Sequence, residues 1–453
     1  MSLERLYASH LSTLDAALAD AIERAVRAGV EIDSVLFHSG STKHYHRDDQ
    51  PIPFRPDPHF ARWVPLSGPD HCVLARPGER PLVVRVAPRD YWYETTPLRE
   101  EPWQGEVDLR QVGTLDEVSE MTGDLSRAAY VGGSPDAARR LGIPGEAVEP
   151  APLMFPLDWH RAQKSGYEIA MITEACKLAA AGHRAAREAF VAGASELEIY
   201  LAYLAGTGHL EQELPFEAIC AVDEKGAVLH YQNKRGKVSA GGSVLLMDAG
   251  AAHAGYASDV TRTWCRDAAG GEHLSDFKAI VDAVDELQRE LVALVTPGRP
   301  YVEIHDAALR GVARILAESG LATCSWEAAH EAGLAQTFLP HGVGHHLGLQ
   351  VHDVGGQQAD PDGGRVAPPD SYPALRTTRP MAAGHVVTIE PGLYFIGMLL
   401  ERLRDGEHAS LVDWGAVDRL RRFGGVRIED DVVCTEDAPQ DLTRPLIAGP
   451  RGS

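Results

Sequence analysis

One stretch constrains this chain more than any other. An apolar run, Val244-Leu245-Leu246-Met247, ends at Asp248, and the chain returns through Asp259 into Val260-Thr261-Arg262-Thr263-Trp264. Apolar and β-branched runs on either side of small residues, with Gly250 and Gly255 between them, read as a β-hairpin. Two carboxylates on facing strands then look into one space. Two buried carboxylates cannot both stay ionised without compensation, so the hairpin either stores repulsion or holds a cation.

The 453 residues around it are too many for one ordinary core, and two or three domains are expected. No apolar run approaches the roughly 18 residues a membrane span needs. The start, Met1-Ser2-Leu3-Glu4-Arg5, lacks the basic region and apolar core of a signal peptide, so a cytoplasmic location is expected. Cys72, Cys176, Cys220, Cys265, Cys324 and Cys434 form no C-x-x-C pair. That spacing suits buried thiols in a reducing compartment, not a disulfide frame or a structural zinc site. A net charge of −22 argues against nucleic acid as a partner.

Helical periodicity runs over residues 3–28, and strand-like runs follow at Val30–Phe37, Cys72–Ala75, Leu82–Val86 and Ala129–Val131. Four prolines between Arg47 and Pro58 forbid regular structure there. The alternation predicts an α/β domain over residues 1–158. Pro152 and Pro156 mark a boundary region up to Ser165, and residues 159–453 form a second domain. It opens on an Ala-rich helix over Tyr167–Phe190, then one capped by Ser195 and Glu198. Two more helices are predicted over Leu274–Thr296 and Tyr301–Ser319. The stretch after Glu436 is polar and proline-containing and reads as a fraying end.

Three further stretches carry acids and histidines. In Pro340–Asp353, His341 and His345 are four apart, but Gly342, Gly344 and Gly348 argue for a loop over a helix. Glu390 ends the run His385-Val386-Val387-Thr388-Ile389 and is stopped by Pro391-Gly392. Arg427 and Glu429 share one strand face, as an ion pair or as support for a ligand. Taken singly, each has a dull explanation: a strand end, a turn carboxylate, a surface salt bridge. His385 reads as structural or exposed, and Asp430 and Asp431 as solvated or paired. Together, four carboxylates and one imidazole balance two divalent cations. Oxygen-dominated ligation favours hard ions, Mn²⁺ first, with Co²⁺ or Zn²⁺ tolerated by the imidazole. Two metals about 3.5–4 Å apart support a bridging water or hydroxide as nucleophile.

The order and spacing of Asp248, Asp259, His345, Glu390 and Glu429 resemble the pita-bread metallopeptidases, the group with prolidase, aminopeptidase P, creatinase and methionine aminopeptidase. The resemblance covers about residues 165–435. It implies an α+β pita-bread catalytic domain behind the α/β domain, and two divalent metals. Asp259, His345 and Glu390 would serve one ion and Asp248 and Asp259 the other, with Glu429 bridging; the sequence does not fix this sharing. It further implies that His230, His341 and His352 bond the scissile carbonyl or shuttle a proton to the leaving nitrogen. Glu390 would be the general base, and Arg427 would orient Glu429.

Over residues 1–150 the motifs His38-Ser39-Gly40, Asp48-Asp49-Gln50-Pro51-Ile52-Pro53-Phe54, Trp63-Val64-Pro65 and Asp90-Tyr91-Trp92 are similar to the bacterial Xaa-Pro dipeptidase subfamily. That likeness implies a homodimer in which the loop around Asp48 and Asp49 reaches the partner's active site. Arg376 matches the arginine that grips a dipeptide's free carboxylate. Phe216, where tyrosine is often found, would sit near the substrate's N-terminal residue. Hydrolysis of organophosphate esters occurs in related enzymes and is carried as a side expectation. The alternatives are an aminopeptidase P, separated by the ratio of dipeptide to tripeptide turnover, and a non-catalytic binding module, whose signature would be missing ligands.

Overall fold

The structure is a computed structural model, and it describes residues 2–95, 97–237, 242–266 and 272–447. It divides into two compact units, Met1–Ala170 with Gln358–Arg365, and Met171–Gln357 with Val366–Ser453.

In the first unit α1 (Leu3–Arg27) starts at Ser2, whose hydroxyl accepts from the Arg5 N–H, and buries Tyr7, Leu14, Leu18 and Ile22 along one face. A mixed sheet follows: β1 (Ser34–His38), β2 (Cys72–Ala75), β3 (Leu82–Val86), β4 (Asp108–Val112) and β5 (Ala128–Val131), in the order β4-β3-β2-β1-β5. The β1–β5 and β3–β4 pairs are parallel and the others antiparallel. Four short helices complete the unit: α2 (Pro58–Trp63), α3 (Val118–Thr122), α4 (Pro135–Arg140) and α5 (Ala151–Ala162).

Two local expectations fail here for identifiable reasons. The first strand begins at Ser34, not Val30, because Gly29 ends α1 at φ 91° and the Val30 N–H still bonds Ala25 O. The proline-marked boundary region is helical through Ala162. Pro152 sits in the first turn, where its missing N–H has no intrahelical partner to lose, and only Pro156 lies inside.

A buried polar cluster ties α1 and α2 to the start of α6 (Gly166–Val191). Arg62 pairs with Glu168 at 3.3 Å. His10 Nε2 lies 2.8 Å from Arg62 O and Nδ1 2.8 Å from Ser165 Oγ, so the neutral ring donates to the carbonyl and accepts from the hydroxyl. Burial holds the His10 pKa below its usual value. Burial alone would raise the Glu168 carboxyl, but Arg62 and His10 outweigh it and hold it low. Both depressed groups contribute stability that is present above their ordinary values, about 6.5 and 4.3, and lost as pH falls through them. The melting temperature should therefore fall on acidification below about pH 6.5, and Glu168→Gln should flatten the part of that slope below about pH 4.3. An unchanged slope in the variant, followed by calorimetry, would refute the assignment.

In the second unit α7 (Glu196–Thr207) carries the expected capping box, with Ser195 and Glu198 bonded reciprocally. Then come β6 (Ile219–Val222), β7 (Val244–Asp248), β8 (Ala252–His253), β9 (Tyr256–Ala257) and β10 (Thr261–Cys265). The predicted hairpin is β7 paired antiparallel to β10, with the β8–β9 pair at its tip and β6 on its other edge. Helices α8 (Leu274–Val292), α9 (Tyr301–Glu318), α10 (Trp326–Glu331) and α11 (Leu334–Phe338) precede β11 (Val386–Ile389) and β12 (Gly392–Tyr394). After α12 (Gly397–Arg404) and α13 (Trp414–Leu420) the chain ends in β13 (Gly425–Arg427), β14 (Asp430–Val433) and β15 (Gln440–Asp441). The apolar faces of α8 and α9 share one core with Leu246, Val387, Ile389, Val426 and Val432.

The stretch after Glu436 does not fray within the described residues. β15 pairs with β14, and Leu442 and Ile447 are buried. Its polar side chains answer buried carboxylates, which composition cannot reveal. His385, Asp430 and Asp431 are fully buried too, so Asp430 and Asp431 are paired instead of solvated.

Candidate metal centre

Four of the five candidate ligands, all but His345, stand at or beside strand ends. Asp248 closes β7 opposite Thr261, the first residue of β10, and Asp259 lies just before it. Thr261 also bridges to Glu429, whose N–H donates to Thr261 O at 3.0 Å. Glu390 follows β11, whose last residue, Ile389, faces Asp430. Residues 343–347, expected as a loop, lie extended along β11. Glu390, Thr388 and Leu347 N–H groups donate to Val343, His345 and Val386 carbonyls, each at 2.9 Å. Gly344 serves close approach: a Cβ there would meet Thr388 O and Tyr301 Oη.

Donor atoms from Asp259, His345 and Glu429 lie within 4.8 Å of one another. His345 Nε2 is 3.5 Å from Asp259 Oδ2 and 4.0 Å from Glu390 Oε1. His345 Nδ1 lies 3.0 Å from His346 O, so it carries the proton and donates. The Nε2 lone pair therefore faces two carboxylates, an arrangement that repels unless a cation lies between them. Burial first, then their acidic neighbours, push the Asp259 and Glu429 carboxyls well above the ordinary range. Burial also raises Glu390. Asp248 Oδ1 is buried without a hydrogen-bond partner among the described residues. A bare lone pair, an orphaned carboxylate oxygen and self-repelling acids are the donor set of hard divalent ions, and the residues fit such ions.

Arg427 pairs directly with an acid the sequence did not link to it, and is connected to Glu429 as well. Its guanidinium pairs with Asp248. It also donates from Nε to Thr261 Oγ1 and from Nη1 to Tyr394 Oη, each at 3.1 Å. Thr261 Oγ1 in turn donates to Glu429 Oε2 at 2.6 Å, so Arg427 reaches Glu429 through that hydroxyl as well as electrostatically. Asp431 accepts the Asp259 N–H at 3.1 Å and the Cys176 thiol at 3.3 Å. Thr261, Tyr394 and Asp431 escaped the sequence reading because a strand threonine, tyrosine or second acid carries no motif of its own.

The other candidates divide by exposure. His341 is engaged at both nitrogens, with Gly342 O and Tyr394 Oη each at 2.8 Å, and its Nδ1 stands 3.7 Å from Glu390 Oε2. Burial and Arg427 lower its pKa to about 3. His352 is exposed on one side and packs edge-on against His345, ring centroids 4.4 Å apart. Its pKa is lowered to about 3 by burial and by His345. His230 and Arg376 are exposed and act electrostatically on His352. Phe216 packs where a Cβ on Gly250 would lie, two residues past Asp248.

Solved structures share this fold. Escherichia coli aminopeptidase P in complex with substrate superposes with a TM-score of 0.70 at 22% identity, covering 96% of each chain. Pseudomonas aeruginosa aminopeptidase PepP gives 0.67 at 22%, covering 95% of each. The second unit is thus an α+β pita-bread domain, preceded by an α/β domain. Xaa-Pro dipeptidase from Xanthomonas campestris pv. campestris is 41% identical over 99% of both chains. That from Cronobacter sakazakii is 39% identical over 98% of this chain and 99% of its own. Residues 5–159 match the Xaa-Pro dipeptidase N-terminal domain and residues 170–436 match metallopeptidase family M24. The chain belongs to metallopeptidase family M24.

Proposed function

We propose that this protein is a two-metal dipeptidase that hydrolyses Xaa-Pro dipeptides to a free amino acid and proline. The observation that carries the site is the convergence of Asp259, His345 and Glu429 within 4.8 Å, with Glu390 beside them. In this reading Asp259, His345 and Glu390 hold one ion, Asp248 and Asp259 the other, and Glu429 both, with Mn²⁺ as the first candidate. Whole-length identity of about 40% to relatives named Xaa-Pro dipeptidase supports the substrate choice.

Bound divalent ions supply Lewis-acid polarisation and a water that loses its proton near neutral pH. Glu390, whose carboxyl burial raises, would take a proton from that water at a carboxylate oxygen, as a general base must. His352 and His230, both open to a ligand, would hydrogen-bond the carbonyl oxygen; as the water oxygen bonds the carbonyl carbon and the C–N bond breaks, the proton taken up by Glu390 would be relayed through them to the proline nitrogen. His341 stays neutral and steadies Glu390 and Tyr394. Proline brings no N–H to the scissile bond, so the site needs no acceptor for one. Arg376 offers a bidentate fork to the free carboxylate, which limits length to two residues.

The same reading makes the protein a cytoplasmic homodimer in which Asp48 and Asp49 approach the partner's site. No helix among the described residues is long and apolar enough to cross a membrane. The exposed Tyr91-Trp92-Tyr93 group, 86%, 75% and 60% accessible, supports an assembly face. Light scattering at micromolar concentration tests the dimer, and a phosphotriester assay tests the organophosphate side activity.

The deciding experiment removes metal with a chelator, restores Mn²⁺, and compares an Xaa-Pro dipeptide with its tripeptide extension. Mn²⁺-dependent turnover of the dipeptide, with little of the tripeptide, is the expected result. Faster cleavage of the tripeptide would move the protein to the aminopeptidase P reading.

A further inference from the structure

The strap Gln440–Ile447 lies beyond residues 170–436, which match the family. It brings one cation into the second unit behind the candidate ligands. Arg444 Nε is 3.0 Å and Nη2 2.8 Å from Asp430 Oδ2; Nη1 is 2.7 Å from Asp285 Oδ1, and Nη2 is 2.5 Å from Gln288 Oε1. Asp430 and Asp285 are buried, while the Arg444 side chain is 18% exposed.

These contacts lead to the ligands by two routes. Asp430 follows Glu429 directly, and its other oxygen accepts from Arg262 Nη2 at 2.6 Å, while Arg262 Nη1 donates to the Glu429 carbonyl at 2.6 Å. Gln288 Nε2 donates to the Ile389 carbonyl at 3.3 Å, one residue before Glu390. A third link runs through the neighbouring strap residue. Thr443 Oγ1 donates to Asp430 Oδ1 at 2.6 Å and accepts the Asp431 N–H at 3.2 Å, and Asp431 accepts the Asp259 N–H. Three candidate ligands, Glu429, Glu390 and Asp259, are thereby tied to two adjacent residues of one strap.

We infer that Arg444, with Thr443, is a positioning residue of the metal site: through Asp430, Gln288 and Asp431 it fixes the strands that aim Glu429, Glu390 and Asp259. This rests on the metal-site part of the proposed function and not on the choice of substrate. The physical reason is repulsion. Ligand acids that repel one another when no ion is present spread unless their backbones are pinned, and pinned donors bind with less reorganisation. Outer contacts of this kind are typically worth 10–100-fold in metal affinity.

The test uses the full-length protein and Mn²⁺ alone as probe. Arg444→Met should weaken Mn²⁺ binding about tenfold by calorimetric titration and lower kcat in step, with less than about twofold change in KM for the dipeptide. The control is Arg289→Met, which removes another cation from Asp285 and whose side chain, among the described residues, bonds neither Asp430 nor the Gln288 side chain; it should leave Mn²⁺ affinity unchanged. Thr443→Val should give a smaller loss in the same direction, and decides the matter if Arg444→Met does not fold. Parental Mn²⁺ affinity in a folded Arg444→Met, or in Thr443→Val if the former fails to fold, would overturn the inference. So would an equal loss in Arg289→Met. Because binding is read without substrate, failure here is distinct from failure of the dipeptidase assay.

Discussion

Asp259→Asn is expected to abolish metal loading and lower turnover by about three orders of magnitude, the loss of several kcal/mol of Lewis-acid stabilisation. The amide has nearly the shape of the acid, and the Asp259 N–H bond to Asp431 is untouched, so the effect is not one of folding. Stability gives an independent check. Burial and neighbouring acids raise the Asp259 carboxyl, so without metal it favours folding only below its ordinary value of about 3.9 and loses that contribution as pH rises. At neutral pH its charge opposes folding, and removing it should leave the metal-free variant at least as stable as the parent. The parent should gain about 2.7 kcal/mol when Mn²⁺ is raised to a hundred times its dissociation constant; the variant should gain almost nothing. Equal Mn²⁺-induced shifts in melting temperature would remove Asp259 from the ligand set.

Arg376→Ala separates the substrate reading from the metal reading. Arg376 is exposed, yet close enough to Glu390 and His345 to act on both electrostatically. A charge-assisted contact is worth about 1.5–3 kcal/mol, so KM for an Xaa-Pro dipeptide should rise roughly 10- to 100-fold. Metal content should stay at the parental level, and discrimination against a tripeptide should shrink. If the variant keeps the parental rate and KM, the dipeptide assignment falls while the metal site stands.

How much was readable in the chain depends on what each residue answers to. The hairpin was legible because apolar runs and glycine turns are local, and Asp248 and Asp259 mark its strand ends. Helices α6, α7, α8 and α9 followed from periodicity and, for α7, from a capping box that involves only Ser195 and Glu198. The loop over residues 343–347 was legible from its glycines, but not its pairing beside β11, since glycine at 344 answers to Thr388, 44 residues away. The direct partner of Arg427 was missed for a similar reason. Sharing a strand face with Glu429 puts the two nearby, but the strand opposite carries Asp248, and the stronger pair crosses between strands. The strap failed on composition: Thr443 and Arg444 are surface residues by type, and it is buried Asp430, Asp285 and Gln288 that draw them in.

That strap bears on the order of events when the chain is made. Asp248 precedes Arg444 by 196 residues. At the usual 5–20 residues per second, about 10–40 s of synthesis separate them. For most of that interval Glu390 and Glu429 have not yet been made either; Glu429 precedes Arg444 by 15 residues, about 1–3 s of synthesis. In the proposed reading a growing chain therefore lacks part of its ligand set until Glu429 is made, and translation itself sets the earliest moment at which hydrolysis can begin.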